Sequence, residues 1–332
     1  MTLKTKKALK ITIPLLFGGG LVWYLFTIIP LLFGGALVWY LFTIIPPETL
    51  LEYFKNANYW WIALGLLFGI LSHLSRAYRW KFMLEPLGYK PRFINSTLAV
   101  LIGYFVNLAI PRAGEVSRAT VMTNYEGIPF EKGFGTIVAE RIADLIMMFL
   151  IIGITLLIQF DFIIELLTKN VDPVKIGVIL ILCVGFGFLF YTYVRKSKKG
   201  IGLKIKNFVK SLIEGVTSIF RMKNKWAFIF HTVFIWVMYI LMFWATIPAI
   251  NGLDVPFGGI LVGFIAGGFS IAATNGGIGL YPLAVAGAFT LFGVPEEPST
   301  AFGSVMWAAQ TAMIIIFGGL SFLLLPICNK AK

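Results

Sequence analysis

The chain has 332 residues, of which 58% are hydrophobic and only 13% are charged, and its formal net charge is +13. Soluble domains average about 45–50% apolar and about 25% charged residues, so this composition excludes an ordinary water-soluble protein. A positive net charge would suggest nucleic acid for a soluble protein, but in a membrane protein basic residues mark the cytoplasmic loops. We therefore expect an all-α, polytopic integral membrane helical bundle with no nucleic-acid partner.

Apolar runs long enough to cross the bilayer hydrocarbon, which takes about 20 residues, recur along the sequence. They predict about six full spans plus two re-entrant helical hairpins in an inverted pseudo-repeat, all within one membrane domain covering residues 1–332. A long N-terminal helix is predicted at 1–46. The first half, 47–160, contains spans 59–75 and 142–160 and hairpin 94–125. A span at 174–194 and a cytoplasmic amphipathic helix at 200–225 follow, and the second half, 227–327, contains spans 227–250 and 300–327 and hairpin 255–294.

The N-terminal helix contains a tandem duplication, because residues 13–28 recur as 29–44 with Gly20 and Ala36 as the only difference. The apolar run 11–46 has 36 residues and would form a helix of about 54 Å, whereas the hydrocarbon core is about 30 Å thick. We expect one crossing, in which the helix either tilts and protrudes or bends at Pro30. The run is too long for the apolar region of a signal peptide, so we expect no cleavage.

The distribution of lysine and arginine predicts the orientation of the chain. Five basic residues fall in segment 76–92 and ten in segment 195–226, whereas none occurs from 227 to 329. Because cytoplasmic loops carry the excess of basic residues, we predict that both termini are cytoplasmic. A short helix at 47–58 should then lie on the outer surface. Arg76 and Arg79 are expected to extend toward lipid phosphates from the cytoplasmic end of their helix.

Charges close to apolar segments are costly in lipid, so they indicate where function lies. An apolar run ends at Pro111 and Gly114, which predicts the tip of the first hairpin. Farther along, Glu140, Arg141 and Asp144 share one side of a helix. They form either a polar pocket for a charged headgroup or an ion-paired cluster that only fixes helix packing. The candidate headgroup-binding residues are Asn107, Arg112, Glu115, Arg118, Glu140, Arg141, Asp144 and Asn275.

A second concentration of helix breakers predicts the tip of the second hairpin, which would enter from the opposite side. The breakers are Gly276, Gly277, Gly279 and Pro282. Two broken helices in inverted orientation, with their breaks near the bilayer midplane, are typical of transporters. Charge distribution alone does not distinguish a re-entrant hairpin from two full crossings. His73 and His231 are expected to be packed or interfacial residues, with proton relays as the alternative.

Four motifs, in chain order, resemble the membrane domain of lysylphosphatidylglycerol synthases and of stand-alone flippase-like proteins built on it. The motifs are Ser75–Trp80, Asn107–Arg118, Glu140–Asp144 and Gly276–Gly279, and the likeness covers about residues 48–326. It implies a bacterial plasma-membrane domain that moves a modified lipid between leaflets. The synthases also carry a soluble domain that takes lysine from charged tRNA, which this sequence lacks, so we expect no synthase activity. Shortly after the glycine-rich motif the family often has an acidic residue, whereas this chain has Tyr281-Pro282. The resemblance therefore does not determine which lipid headgroup is bound.

The sequence therefore predicts a translocator of a phospholipid or a polyprenyl-linked lipid, driven by a gradient or by ion coupling. A non-catalytic partner subunit of an envelope-lipid pathway is the alternative, followed by a headgroup-modifying enzyme with Glu115, Glu140 or Asp144 as acid or base. No nucleophile constellation, metal-ligand spacing or phosphate-binding glycine loop is recognisable, so neither catalysis nor a metal or other cofactor is predicted. Expected partners are membrane lipids and envelope-lipid biosynthesis proteins, and glycine-rich helix faces would suit a homodimer.

Overall fold

The computed structural model describes residues 29–162, 164–165, 185, 192–197, 202–203, 206, 222–274 and 276–329, and in these ranges all regular secondary structure is helical. The helices are α1 (Ile29–Ile44), α2 (Pro47–Asn56), α3 (Tyr59–Leu84), α4 (Phe93–Ala109), α5 (Ala113–Glu126), α6 (Phe130–Ile158), α7 (Lys225–Thr246), α8 (Phe257–Ala273), α9 (Leu280–Thr290) and α10 (Glu296–Ile327). The predicted span 174–194, the predicted amphipathic helix 200–225 and residues 1–28 lie almost entirely outside the described residues.

Four helical segments of the described chain are long and apolar enough to cross a membrane. They are Tyr59–Leu87, Phe130–Ile158, Lys225–Ala249 and Glu296–Ile327. The bent pair formed by α1 and α2, whose axes differ by 84°, would add a fifth crossing. The expectation of a multi-pass, all-α membrane protein is thus confirmed, whereas the count of six spans with two re-entrant hairpins stays a prediction.

Two prolines separate the first two described helices. Helix α1 is formed by the second copy of the duplicated segment and ends at Ile44. The chain then bends at Pro46, which has extended backbone angles, and Pro47 begins α2. The short helix predicted over 47–58 is therefore present, two residues shorter than expected.

The packing of the chain divides it into two compact units. The first unit comprises Met1–Tyr78, Pro91–Phe134 and Phe234–Lys332, and the second comprises Arg79–Lys90 and Gly135–Val233. In the first unit α4 packs against α5, α8 packs against α9, and α10 contacts both α4 and α9. The two helix pairs with predicted breaks therefore belong to one unit.

Glycines allow close helix contacts inside the first unit. Gly65 and Gly69 of α3 face Met242 of α7, and Gly263 of α8 faces the ring of Phe289 on α9. A methyl group added at any of these three glycines would come within 3.0 Å of its neighbour. Small residues let helix backbones approach in membranes, where packing contributes strongly to association. At least part of the glycine-rich surface is therefore used within the chain, while the homodimer stays a prediction.

Candidate functional site

The second unit contains a buried ionic cluster centred on Arg79 of α3. Its Nη2 atom lies 3.1 Å from Asp144 Oδ1 and 3.5 Å from Glu140 Oε1, and both acids are on α6. Its Nη1 atom donates a hydrogen bond of 2.9 Å to Thr232 Oγ1 on α7. The side chains of Arg79 and Glu140 are completely inaccessible to solvent. The guanidinium also lies 5.3 Å from the centre of the Phe228 ring.

The charges within this cluster compensate one another. Arg141 Nη1 lies 3.4 Å from Asp144 Oδ2, so two arginines accompany two carboxylates and the sum of their formal charges is zero. A buried ion is costly unless it is paired, and here the pairs are built from neighbouring helices. The arrangement favours the interpretation that Glu140, Arg141 and Asp144 fix helix packing over the interpretation that they receive a headgroup.

The prediction that Arg76 and Arg79 extend toward lipid phosphates is wrong, because both residues are buried, at 2% and 0% exposure. The apolar run ends near residue 75, but α3 continues to Leu84 and carries Arg79 into the protein interior. Helix α6 likewise begins at Phe130, earlier than its apolar run at 142 suggests. In both cases a helix continues through charged residues because partners on other helices satisfy the charges, and hydropathy along one segment does not register such partners.

The first predicted helix break is present in the first unit, between α4 and α5. Arg112 there has a φ of 64°, the left-handed region that side-chain-bearing residues rarely adopt. Asn107 Oδ1 accepts a 2.7 Å hydrogen bond from the amide of Gly114, which satisfies one of the orphan N–H groups at the start of α5. A Cβ at Gly114 would collide with the carbonyl oxygen of Gly103 on α4. Asn107 thus has a structural role, and Gly114 lies in the first turn of α5, just after the break.

The three charged candidates at this break differ in their surroundings. Arg112 is exposed and makes no hydrogen bond or ion pair with the described part of the chain. Glu115 is half-buried, and Arg118 is 3% exposed with its side chain lying over Gly103. Arg112 is therefore the cation at this break whose donors are open to a ligand, and it is held in a strained conformation of the kind that concentrates at functional sites.

Replacing Gly114 by alanine tests the close approach of α4 and α5. The added methyl group has no room, so we expect Gly114→Ala to lower the free energy of unfolding by about 1–3 kcal/mol, measured by SDS titration of the purified protein. Gly153→Ala in α6 is the matched control, because an added Cβ there meets nothing within 4 Å. The control should raise stability by about 0.5–1 kcal/mol. Equal unfolding midpoints for the two variants would contradict the observed packing.

The second predicted break lies between α8 and α9. Gly276, Gly277 and Gly279 all have positive φ angles, from 66° to 83°. Trp307 of α10 donates a 2.8 Å hydrogen bond from Nε1 to the carbonyl oxygen of Gly276. Asn275 lies outside the described residues, so its proposed role stays a prediction. Pro282 is not at the break but in the first turn of α9, where proline is tolerated.

The two breaks meet inside the first unit. The side chain of Leu108, one residue before the end of α4, contacts Gly276 of the second break. A Cβ built on Gly276 would lie 3.2 Å from Leu108 Cδ2. Helix α10 runs past both hairpins, with Gly318 against Phe105 of α4 and Trp307 bonded to the second break. Helix α1 covers the second break, where Gly279 lies against the backbone of Gly34.

Sequence reasoning missed two residues that organise these sites, Arg79 and Trp307. Arg79 had a signal, because it lies in the Ser75–Trp80 motif, whereas Trp307 lies in an apolar run with no distinguishing pattern. Within the described ranges, no group of three or more His, Cys, Asp or Glu side chains is placed to hold a metal ion. Among the described residues, the first break offers arginine, the carboxylate of Glu115, the Asn107 amide and backbone groups.

Comparison with known proteins decides which family this architecture represents. A family model described as the lysylphosphatidylglycerol synthase TM region matches residues 27–318. The chain belongs to this family. The resemblance carried by the four sequence motifs is thereby confirmed, and the matched region includes α1 to α9 completely.

The curated relatives of this family member are archaeal. The UPF0104 membrane protein MJ1595 of Methanocaldococcus jannaschii is 30% identical over 159 residues, which is 46% of this chain and 47% of the relative. A UPF0104 membrane protein of Methanothermobacter thermautotrophicus is 26% identical over 149 residues, 44% of this chain and 42% of the relative. The Glycosyltransferase AglD of Haloferax volcanii is 29% identical over 111 residues, 33% of this chain and 18% of the relative. No solved structure matches. The chain thus spans less than half the length of the curated relatives it matches.

Proposed function

We propose that this family member is a translocator that moves a phospholipid or a polyprenyl-linked lipid across a plasma membrane. The observation that carries the proposal is the meeting of two helix breaks in one unit, with Leu108 against Gly276 and the open cation Arg112 at the first break. Broken helices present backbone groups and helix ends to a substrate inside the membrane. Arg112 supplies the charge that binds a phosphate while the acyl or polyprenyl chains stay in lipid.

The hairpins are proposed to be re-entrant, one from each side of the membrane. Both breaks then lie at membrane depth, and non-helical backbone there is tolerated only where it is buried in protein or lines a water-filled cavity. The second break meets this condition in part, because Trp307 satisfies the carbonyl of Gly276. The first break meets it in part through the hydrogen bond from Gly114 to Asn107.

The proposed orientation places both termini in the cytoplasm. Helix α10 begins with Glu296 and Glu297 and ends near Arg92, which donates a 3.1 Å hydrogen bond to the carbonyl oxygen of Cys328. Over 32 residues this helix is about 48 Å long, enough to cross the bilayer with both ends in the headgroup regions. Its basic end belongs on the cytoplasmic side by the distribution of arginine and lysine.

Leaflet exchange of fluorescent phosphatidylglycerol in proteoliposomes tests the proposal. Dithionite quenching of the outer leaflet should reveal a second, slower phase of signal loss when the protein is present, and only a protected inner leaflet in empty vesicles. Another multi-pass protein at equal density controls for disturbance of the bilayer by protein. Exchange equal to that in this control would contradict the proposal.

A partner subunit of an envelope-lipid pathway is the second candidate function. It is favoured by the similarity to a longer relative whose name denotes a glycosyltransferase, of which the shared region is 18%. If the purified chain exchanges no lipid, co-purification with a glycosyltransferase or another enzyme of envelope-lipid synthesis would support the partner function. A modified lipid formed by the purified chain, seen by mass spectrometry, would instead indicate an enzyme.

A further inference from the structure

A second polar cluster is buried in the first unit, at residues that the proposed headgroup site does not use. We name it the aromatic cluster; it consists of His73 and Arg76 on α3, Tyr104 on α4, and Trp236 and Tyr239 on α7. The ring of His73 lies 4.6 Å from that of Tyr104 and 6.2 Å from that of Tyr239. The ring of Trp236 lies 6.2 Å from that of Tyr239. Side chains from α3, α4 and α7 therefore meet around the Tyr239 ring.

The polar atoms of the cluster form a partly completed network. The hydroxyl groups of Tyr104 and Tyr239 are 3.3 Å apart, and Arg76 Nη2 donates to the Tyr239 hydroxyl at 3.4 Å. His73 Nδ1 and Trp236 Nε1 have no hydrogen-bond partner in the described chain, although each residue is only 7% exposed. A buried polar group without a partner costs about 1–3 kcal/mol, so two of them within one cluster call for a ligand or ordered water.

The chemistry of these groups defines the ligand that would complete the network. An indole N–H and a guanidinium are donors only, while the tyrosine hydroxyls and the histidine can donate as well. The matching ligand therefore carries several acceptor oxygens and few donors. A phosphate group meets this description, and the guanidinium of Arg76 lies within the same network, where it donates to the Tyr239 hydroxyl.

The depth of the cluster identifies the source of such an anion. His73 follows the aromatic start of α3 at Tyr59 by 14 residues, which is about 21 Å along the helix and within a hydrocarbon core of about 30 Å. A free anion enters this depth only at high cost, whereas a lipid in transit would bring its own phosphate there. We propose that the aromatic cluster binds the phosphate group of a lipid as a second station in the membrane interior. This inference rests on the proposed function and adds a second binding site for the phosphate of the transported lipid.

Native mass spectrometry of the full chain in detergent tests the inference with short-chain phosphatidylglycerol as the probe. Diacylglycerol of the same chain length and inorganic phosphate are the comparison ligands. We expect retention of phosphatidylglycerol and none of diacylglycerol, because only phosphatidylglycerol carries the anionic phosphate oxygens. Inorganic phosphate should not compete at equal concentration, since the lipid chains contribute to binding.

Two variants each remove one polar group from the cluster. Trp236→Phe removes an N–H that has no hydrogen-bond partner in the described part of the chain, and Tyr239→Phe removes the central hydroxyl while keeping the ring. A hydrogen bond to a charged group is worth enough that each variant should weaken phosphatidylglycerol retention about ten-fold or more. Trp244→Phe is the matched control on the same helix, because Trp244 is exposed, and it should leave retention unchanged.

The outcomes separate this inference from the proposed function. Equal retention of phosphatidylglycerol by wild type, Trp236→Phe and Tyr239→Phe would overturn the inference, as would equal retention of diacylglycerol by the wild type. Competition by inorganic phosphate at equal concentration would overturn the lipid assignment. Leaflet exchange is measured on the same preparations. If retention of phosphatidylglycerol depends on the cluster but no lipid is exchanged, the translocator function is refuted and the binding site in the cluster stands.

Discussion

Arg79→Met is expected to lower the free energy of unfolding by more than Gly114→Ala or any substitution at Arg112. The variant leaves Glu140 and Asp144 in the second unit without their shared guanidinium, and the Glu140 side chain is completely buried. Removing one partner of a buried ion pair typically costs about 3–5 kcal/mol, because the remaining charge stays desolvated. SDS titration of the purified protein would measure the loss, and Arg79→Lys should recover only part of it because lysine cannot bond both acids with a planar fork.

Neutralising the whole cluster is the control for this prediction. In the variant Arg79→Met, Glu140→Gln, Asp144→Asn no buried acid lacks its cation, and Arg141, whose side chain is 40% exposed, remains solvated. Replacing a buried ion network by neutral groups is often close to neutral in stability, so most of the loss should be recovered. If the triple variant were stable but could not exchange lipid, the cluster would belong to the transport site and the structural interpretation would be contradicted.

Arg112→Gly should separate stability from transport. Glycine adopts a φ of 64° without steric cost, so the backbone strain at the first break is removed, and after the entropy cost of glycine the variant should be about 1 kcal/mol more stable. The same substitution deletes the open cation. Losing a charge-assisted hydrogen bond to phosphate, worth about 1.5–3 kcal/mol, should slow leaflet exchange by about ten- to a hundred-fold.

Charge-preserving and neutral substitutions give the matched comparison at this position. Arg112→Lys keeps the charge and most of the strain, so exchange should fall by only a few-fold, because a single ammonium replaces a bidentate fork. Arg112→Gln keeps a side chain of similar length without the charge and should behave like glycine in exchange but like the wild type in stability. Wild-type exchange rates in both the glycine and glutamine variants would rule out a phosphate contact by Arg112.

The helix breaks could be predicted from sequence because their causes are local. Proline and clustered glycine restrict or free the backbone wherever they occur, and α4 ends at Ala109, two residues before the predicted breaker Pro111. The short helix after Pro47 was predictable for the same reason, since proline favours the first position of a helix. Gly114 and Pro282 were misplaced by a few residues only, because breakers also occupy the first turn after a break.

The partners of buried polar groups could not be predicted because they are distant in sequence. Arg79 and Asp144 are 65 residues apart, and Trp307 lies 31 residues from the carbonyl of Gly276 that it bonds. Helical periodicity shows which residues share a face of one helix, but it does not show which helices pack together. For this reason the sequence indicated Glu140, Arg141 and Asp144 as a set, while Arg79, which pairs with both acids, was assigned to the lipid surface.

Cysteine accessibility at the two breaks tests the central claim that both lie at membrane depth. After Cys183 and Cys328 are replaced by serine, single cysteines at Ile110 and Ile278 are labelled in sealed vesicles with a membrane-impermeant maleimide. Asn251→Cys and Lys90→Cys provide exposed references for the proposed outer and cytoplasmic surfaces.

The re-entrant arrangement predicts that both break positions react much more slowly than the reference cysteine on either side. Two full crossings in each hairpin would place the breaks on opposite surfaces instead. Labelling of position 110 as fast as Asn251→Cys from outside, together with labelling of position 278 as fast as Lys90→Cys from inside, would contradict the re-entrant arrangement.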